Sequence, residues 1–75
     1  MSIREHDRVV LTSNLPAERL TEGDVGTVIH IYAKGAAFEV EFVALDGETI
    51  AVVTLDALQV RPVSHRETTQ ARSVA

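Results

Sequence analysis

Phe38-Glu39-Val40-Glu41-Phe42 alternates apolar and acidic side chains without a break. A period of two fits a β-strand, whose successive side chains leave opposite faces of the sheet. On a helix of about 3.6 residues per turn the same pattern would smear charge around the whole surface. The segment therefore predicts a strand with Phe38, Val40 and Phe42 turned to a core and Glu39 and Glu41 turned to water. Asp46-Gly47 follows, a dipeptide that tolerates the positive φ angles of a tight hairpin. Beyond it, Glu48-Thr49-Ile50-Ala51-Val52-Val53-Thr54-Leu55 is rich in residues that suit a pleated surface. These two runs are predicted to be antiparallel neighbours.

The rest of the chain reads in the same way. Arg8-Val9-Val10-Leu11-Thr12 is a short β-branched run that stops at Ser13-Asn14, and it gives a first strand. A long connection follows, with Pro16 at the first position of one helical turn through Ala17-Glu18-Arg19-Leu20. Leu15 and Leu20 are expected to fold over one end of the core, and Gly23 to supply a positive φ where the chain re-enters the sheet. Gly26 to Tyr32 forms the second strand. Strict alternation there puts Ile29 and Ile31 on one face and Val28, His30 and Tyr32 on the other, which His30 marks as the wetter. Ala33-Lys34-Gly35-Ala36 turns the chain, with Gly35 left-handed. Leu55-Asp56-Ala57-Leu58 is too short for an α-helix and is predicted as a 3-10 turn before a last strand, Gln59-Val60-Arg61, which Pro62 ends.

Five short strands, a long first loop, a tight central hairpin and a 3-10 turn before the last strand make an all-β chain with the element order of a small SH3-like barrel. A flat sheet would leave Ile29, Ile31, Phe38, Val40, Phe42, Ile50 and Val52 uncovered, and burying each contributes about 1.5–3 kcal/mol. The structural competitor is a five-stranded OB fold, which has longer strands and a true helix before its fourth. Residues 1–7 are read as an N-terminal extension, 8–63 as the barrel and 64–75 as a flexible polar tail without apolar periodicity.

With 75 residues there is room for one hydrophobic core. The chain has no cysteine, which removes disulfides, thiolate metal sites and thiol nucleophiles together and fits a reducing compartment. His6, His30 and His65 are too scattered for ligand spacing, so no metal and no cofactor are assigned. The opening residues alternate in charge and no apolar run approaches the roughly 20 residues that span a bilayer, so a cytoplasmic protein without a membrane partner is expected.

The net charge of −4 is unevenly spread. Between residues 18 and 56, eight acidic residues stand against only Arg19 and Lys34. Residues 57 to 75 carry Arg61, Arg66 and Arg72 against Glu67. Since phosphate contacts supply most nucleic-acid affinity, an acidic body argues against DNA or RNA as the main ligand.

Leu15-Pro16, Glu22-Gly23-Asp24-Val25-Gly26-Thr27-Val28, Tyr32, Phe38-Glu39-Val40-Glu41-Phe42, Asp46-Gly47-Glu48-Thr49 and Arg61-Pro62 together resemble a bacterial family of short proteins known as domain of unknown function 4926. The resemblance covers roughly residues 7 to 63. It implies a small SH3-like barrel without assigned chemistry, in a setting beside toxin-like partners. Taken alone, Gly23-Asp24-Val25-Gly26-Thr27-Val28 also resembles the start of a KOW motif of ribosomal and transcription proteins.

Glu39 and Glu41 lie on one side of one strand, where a paired-carboxylate catalyst would be sought. Any alternating strand places them so, and no third polar group marks a cleft around them. The chain has neither a phosphate-cradling loop nor a nucleophile elbow, and no enzymatic activity is expected. His30 and Tyr32 share the outer face of the second strand. Without tryptophan, and with a single tyrosine, the aromatic groove that reads proline-rich peptides is missing. The expectation is a non-catalytic binding module whose acidic surface, Glu22, Asp24, His30, Tyr32, Glu39, Glu41, Asp46 and Glu48, meets a basic protein partner. An antitoxin or immunity protein against a basic ribonuclease-like toxin, or an accessory subunit of a larger enzyme, fits that description. The alternative is a KOW-like accessory of RNA or ribosome assemblies that touches phosphate through Lys34, Arg61, Arg66 and Arg72.

Overall fold

The computed structural model describes residues 3–64 and Glu67. It contains five strands, β1 (Arg8–Leu11), β2 (Val25–Tyr32), β3 (Ala37–Val43), β4 (Thr49–Asp56) and β5 (Val60–Pro62). They form one antiparallel sheet in the order β4-β3-β2-β1-β5. The all-β, five-stranded arrangement predicted from the pattern is therefore present, with the last strand returned to lie beside the first. The sheet does not close on itself: β4 and β5 are its two edges.

One apolar cluster gathers side chains from every strand. Val9 and Leu11 come from β1, Val28 from β2, Phe38, Val40 and Phe42 from β3, Leu55 from β4 and Val60 from β5. The alternation of β3 holds, with its three apolar residues buried and its carboxylates on the opposite face.

β2 corrects the strict alternation read from the sequence. Val28 faces Val40 and is completely buried, whereas Ile29 is 40% exposed and the register then resumes with His30 against Glu39. Ile29 is the extra residue of a β-bulge, which lets the strand change phase and brings Ile31 back against the core. Val28 thus belongs to the core and Ile29 to the surface, the reverse of the expectation, while His30 and Tyr32 face outward as predicted. Val52, also assigned to the apolar surface needing cover, is 46% exposed and lies opposite Glu41.

The long first connection contains a 3-10 helix, Pro16–Glu18, with proline at its first position and Arg19 ending it at a φ of 60°. Leu15 and Leu20 then bond to each other across the bend, each N–H donating to the other's carbonyl at 2.9 and 3.1 Å, and Leu20 is buried over the core end. The turn before β5 holds one bond of 3-10 spacing, from Gln59 N–H to Asp56 O at 3.1 Å. Between β2 and β3, Ala33–Gly35 makes a tight turn in which all three residues take a positive φ, and Ala36 N–H donates to Ala33 O at 3.4 Å.

Of the segment read as an N-terminal extension, His6 and Asp7 are tied to β2. His6 N–H donates to Val28 O at 2.7 Å, and Val28 N–H donates to Asp7 O at 2.9 Å. Ile3 packs against the core. Of the segment read as a tail, Glu67 accepts from the Arg61 guanidinium, and Ser64 and Glu67 bond to one another. Its other residues lie outside the described ones.

Candidate functional site

The outward face of β2, β3 and β4 is built from cross-strand rows. His30, Glu39 and Thr54 form one row, and Thr27, Glu41 and Val52 the next. Opposed side chains in such rows stand close enough to interact directly. No lysine or arginine occurs in any of the three strands. The face is therefore acidic along its middle strand and apolar at exposed Ile29, Tyr32 and Val52.

The carboxylates are held in place. Glu39 Oε1 accepts from Thr54 Oγ1 at 2.6 Å and makes a longer 3.4 Å contact with Tyr32 OH. Glu41 Oε2 accepts from Thr49 Oγ1 at 2.9 Å. The rings of His30 and Tyr32 meet edge to face, with centroids 4.6 Å apart and planes at 73°. His30 Nδ1 lies 3.7 Å from Glu5 Oε2, which brings a fourth element to the same face. Reduced hydration, joined by the adjacent negative charge of Glu39, raises the Tyr32 hydroxyl above its ordinary value of 10.0, so it acts as a neutral donor at physiological pH.

Residues 5–62 match the model of a family described as Domain of unknown function (DUF4926). The match begins at Glu5, takes in all five strands and stops at Pro62. The chain belongs to this family. No curated protein and no solved structure matches it. The whole outward face of this DUF4926 domain, Glu5 included, lies within the matched residues.

The predicted site residues of the DUF4926 domain fall into two groups. His30, Tyr32, Glu39 and Glu41 come together on the outward face. Glu22 and Asp24 precede β2 while Asp46 and Glu48 follow β3, and since these strands are antiparallel both turns stand at the same end of the sheet. Two of these four carboxylates stabilise turns. Asp24 Oδ2 accepts from Thr21 N–H, and Asp46 Oδ1 from Glu48 N–H, both at 2.9 Å. The Glu22 and Glu48 side chains are exposed beside them. Sequence reasoning missed Ile29, Val52, Thr49, Thr54 and Glu5. The two threonines carry a usable signal, since each stands near a glutamate once the hairpin register is known. Among the described residues, no group of three His, Cys, Asp or Glu side chains is placed to hold a metal, and no helix is long and apolar enough to cross a membrane.

Proposed function

We propose that this domain is a non-catalytic binding module that meets a basic protein partner through the outward face of β2, β3 and β4. The observation that carries the reading is the outward face of three strands that contain no lysine or arginine, with Glu39 and Glu41 on the middle strand and Ile29, Tyr32 and Val52 exposed around them. Charge complementarity steers encounter and selects the partner, while desolvated aromatic and aliphatic anchors hold it. Carboxylates already fixed by Thr54 and Thr49 lose little side-chain freedom on binding, which lowers the cost of association. Within these three strands a phosphate backbone would meet like charge, with Arg8 of β1, opposite Thr27, as a cation at the margin.

A basic toxin neutralised by this protein in a cytoplasmic setting is a concrete partner of that chemistry. Capture from a lysate of the native host on the immobilised domain tests the reading. A protein rich in lysine and arginine, released by rising salt and not retained by Glu41→Lys, is the expected result. Recovery of nucleic acid alone overturns it.

A further inference from the structure

The two edges of the sheet are not alike. β5 is three residues long, carries Arg61 and ends in Pro62, features that resist the addition of another strand. β4 is eight residues long, and from Thr49 to Leu55 it contains no charge, proline or glycine.

The ladder fixes which backbone groups β4 offers. Ala57 N–H donates to Ala36 O at 3.2 Å while Ala37 faces Asp56, so Ala37 and Asp56 are a pair without mutual hydrogen bonds. Alternation along an antiparallel ladder then gives mutual bonds to Phe38 with Leu55, Val40 with Val53 and Phe42 with Ala51. Val52 and Thr54 consequently turn their N–H and C=O groups away from β3, toward the open edge. Asp56 faces outward too, but its N–H is taken by Gln59 Oε1 at 3.0 Å and its carbonyl accepts from Gln59 N–H. The backbone groups of Val52 and Thr54 have no partner among the described residues.

We infer that a second copy of this chain pairs with this edge, β4 against β4, about a two-fold axis at Val53. Opposed residues in an antiparallel pair share a face of the sheet, so the axis passes through a residue and not between two. Centred on Val53, Val52 of each copy opposes Thr54 of the other, and the resulting N–H···O=C bonds use every free group of both residues. Centred on Val52, Thr54 would meet Ile50, where the β3–β4 register is already shifted. Centred on Thr54, Val52 would meet Asp56, whose groups are occupied. Only the Val53 register satisfies the edge, and it sets no charge against a like charge. On the core side of the strand, a groove of about 480 Å³ between Val52–Leu55 and Leu15–Glu18 leaves room for side chains of the second copy. The pairing joins two five-stranded sheets edge to edge and places the outward acidic faces of both copies side by side.

Sedimentation equilibrium of the full chain, at loadings from about 1 µM to about 500 µM, tests the inference. A monomer–dimer equilibrium is expected, weak because an interface of one strand pair buries little area. It should tighten with salt, because two chains of net charge −4 repel less when screened. Val52→Pro removes an outward N–H without breaking the bonds to β3, and Val52→Lys places a lysine on the edge. Each is expected to weaken the dimer by at least about tenfold while the circular dichroism spectrum stays that of the wild type. Should the proline variant not fold, the lysine variant decides. A monomer at every loading overturns the inference, as does a dimer that Val52→Lys leaves intact. Binding of a basic partner weakens with salt and self-pairing strengthens, so the failure of either reading is distinguishable from that of the other.

Discussion

Gly26 packs directly against Val40. A β-carbon at Gly26 would stand 2.6 Å from Val40 Cγ1 and 2.9 Å from Phe42 Cε1, closer than two carbons can sit without one of them moving. Glycine is required here by the approach of β2 to the core residues of β3. Gly26→Ala should overpack the core and cost about 1–3 kcal/mol. For a domain of this size that lowers Tm by several degrees, at about 4–8 °C per kcal/mol. An unchanged Tm would show that Val40 and Phe42 can give way.

Phe42 is 2% exposed and touches the centre of the cluster, so Phe42→Ala should cost about 3–5 kcal/mol, much of the stability of a small domain. Glu41, its neighbour on the opposite face, gives up only the Thr49 hydroxyl bond. Glu41→Ala should therefore shift the urea midpoint far less. Equal shifts in the two melts would mean that the faces of β3 are reversed.

The Arg61 guanidinium grips the Glu67 carboxylate with two bonds of 2.8 and 2.5 Å, and Ser64 N–H adds a third at 2.6 Å. Chiefly through the Arg61 bonds, the Glu67 carboxyl is lowered from its ordinary 4.5 to about 2. A carboxyl depressed in the folded state adds stability that is present above its unfolded value and is lost as pH falls through the folded one. The Tm difference between wild type and Glu67→Gln should thus be constant above about pH 5, shrink below the ordinary carboxylate range and vanish near pH 2. The pair is exposed, so the difference will be small. A carboxyl titration of Glu67 with its midpoint near 4.5 would refute the clamp.

Much of the fold is legible where periodicity and turn chemistry agree. Phe38 to Phe42 declares its faces, Asp46-Gly47 sets the hairpin with Gly47 at a φ of 91°, and Gly23 and Gly35 take the left-handed conformations expected of them. The bulge at Ile29 is different in kind. Val28-Ile29-His30-Ile31 is β-branched throughout apart from the histidine, so nothing local tells which apolar residue will be left unpaired. That choice is made by the register against Val40 and Glu39, and by the backbone of His6 and Asp7, which bonds to Val28. The candidate site is legible to the same extent. Glu39, Glu41, His30 and Tyr32 follow from alternation, whereas Thr54 and Glu5 reach them only through pairings that the linear pattern does not contain.

The partner's charge is the most direct test of the outward face. Glu41 is the better position to alter, because Glu39 also holds Thr54 and Tyr32 while Glu41 touches Thr49 alone among the hydrogen-bonding side chains. Glu41→Lys should slow association with a basic protein and leave the melt nearly unchanged. The effect should fade as salt rises from about 0.1 M to about 1 M, since the screening length falls from about 10 Å to about 3 Å. Dissociation should change less than association, because the apolar anchors Ile29, Tyr32 and Val52 are untouched. RNA predicts the opposite sign: removing a carboxylate and adding a cation would tighten it, with a steeper salt dependence. Stopped-flow association with the captured protein, and titration of wild type and variant with a random-sequence RNA, separate the two. A wild-type chain that binds the RNA tightly at physiological salt, or a Glu41→Lys variant that binds the protein as fast as wild type at low salt, would remove this face from the interaction.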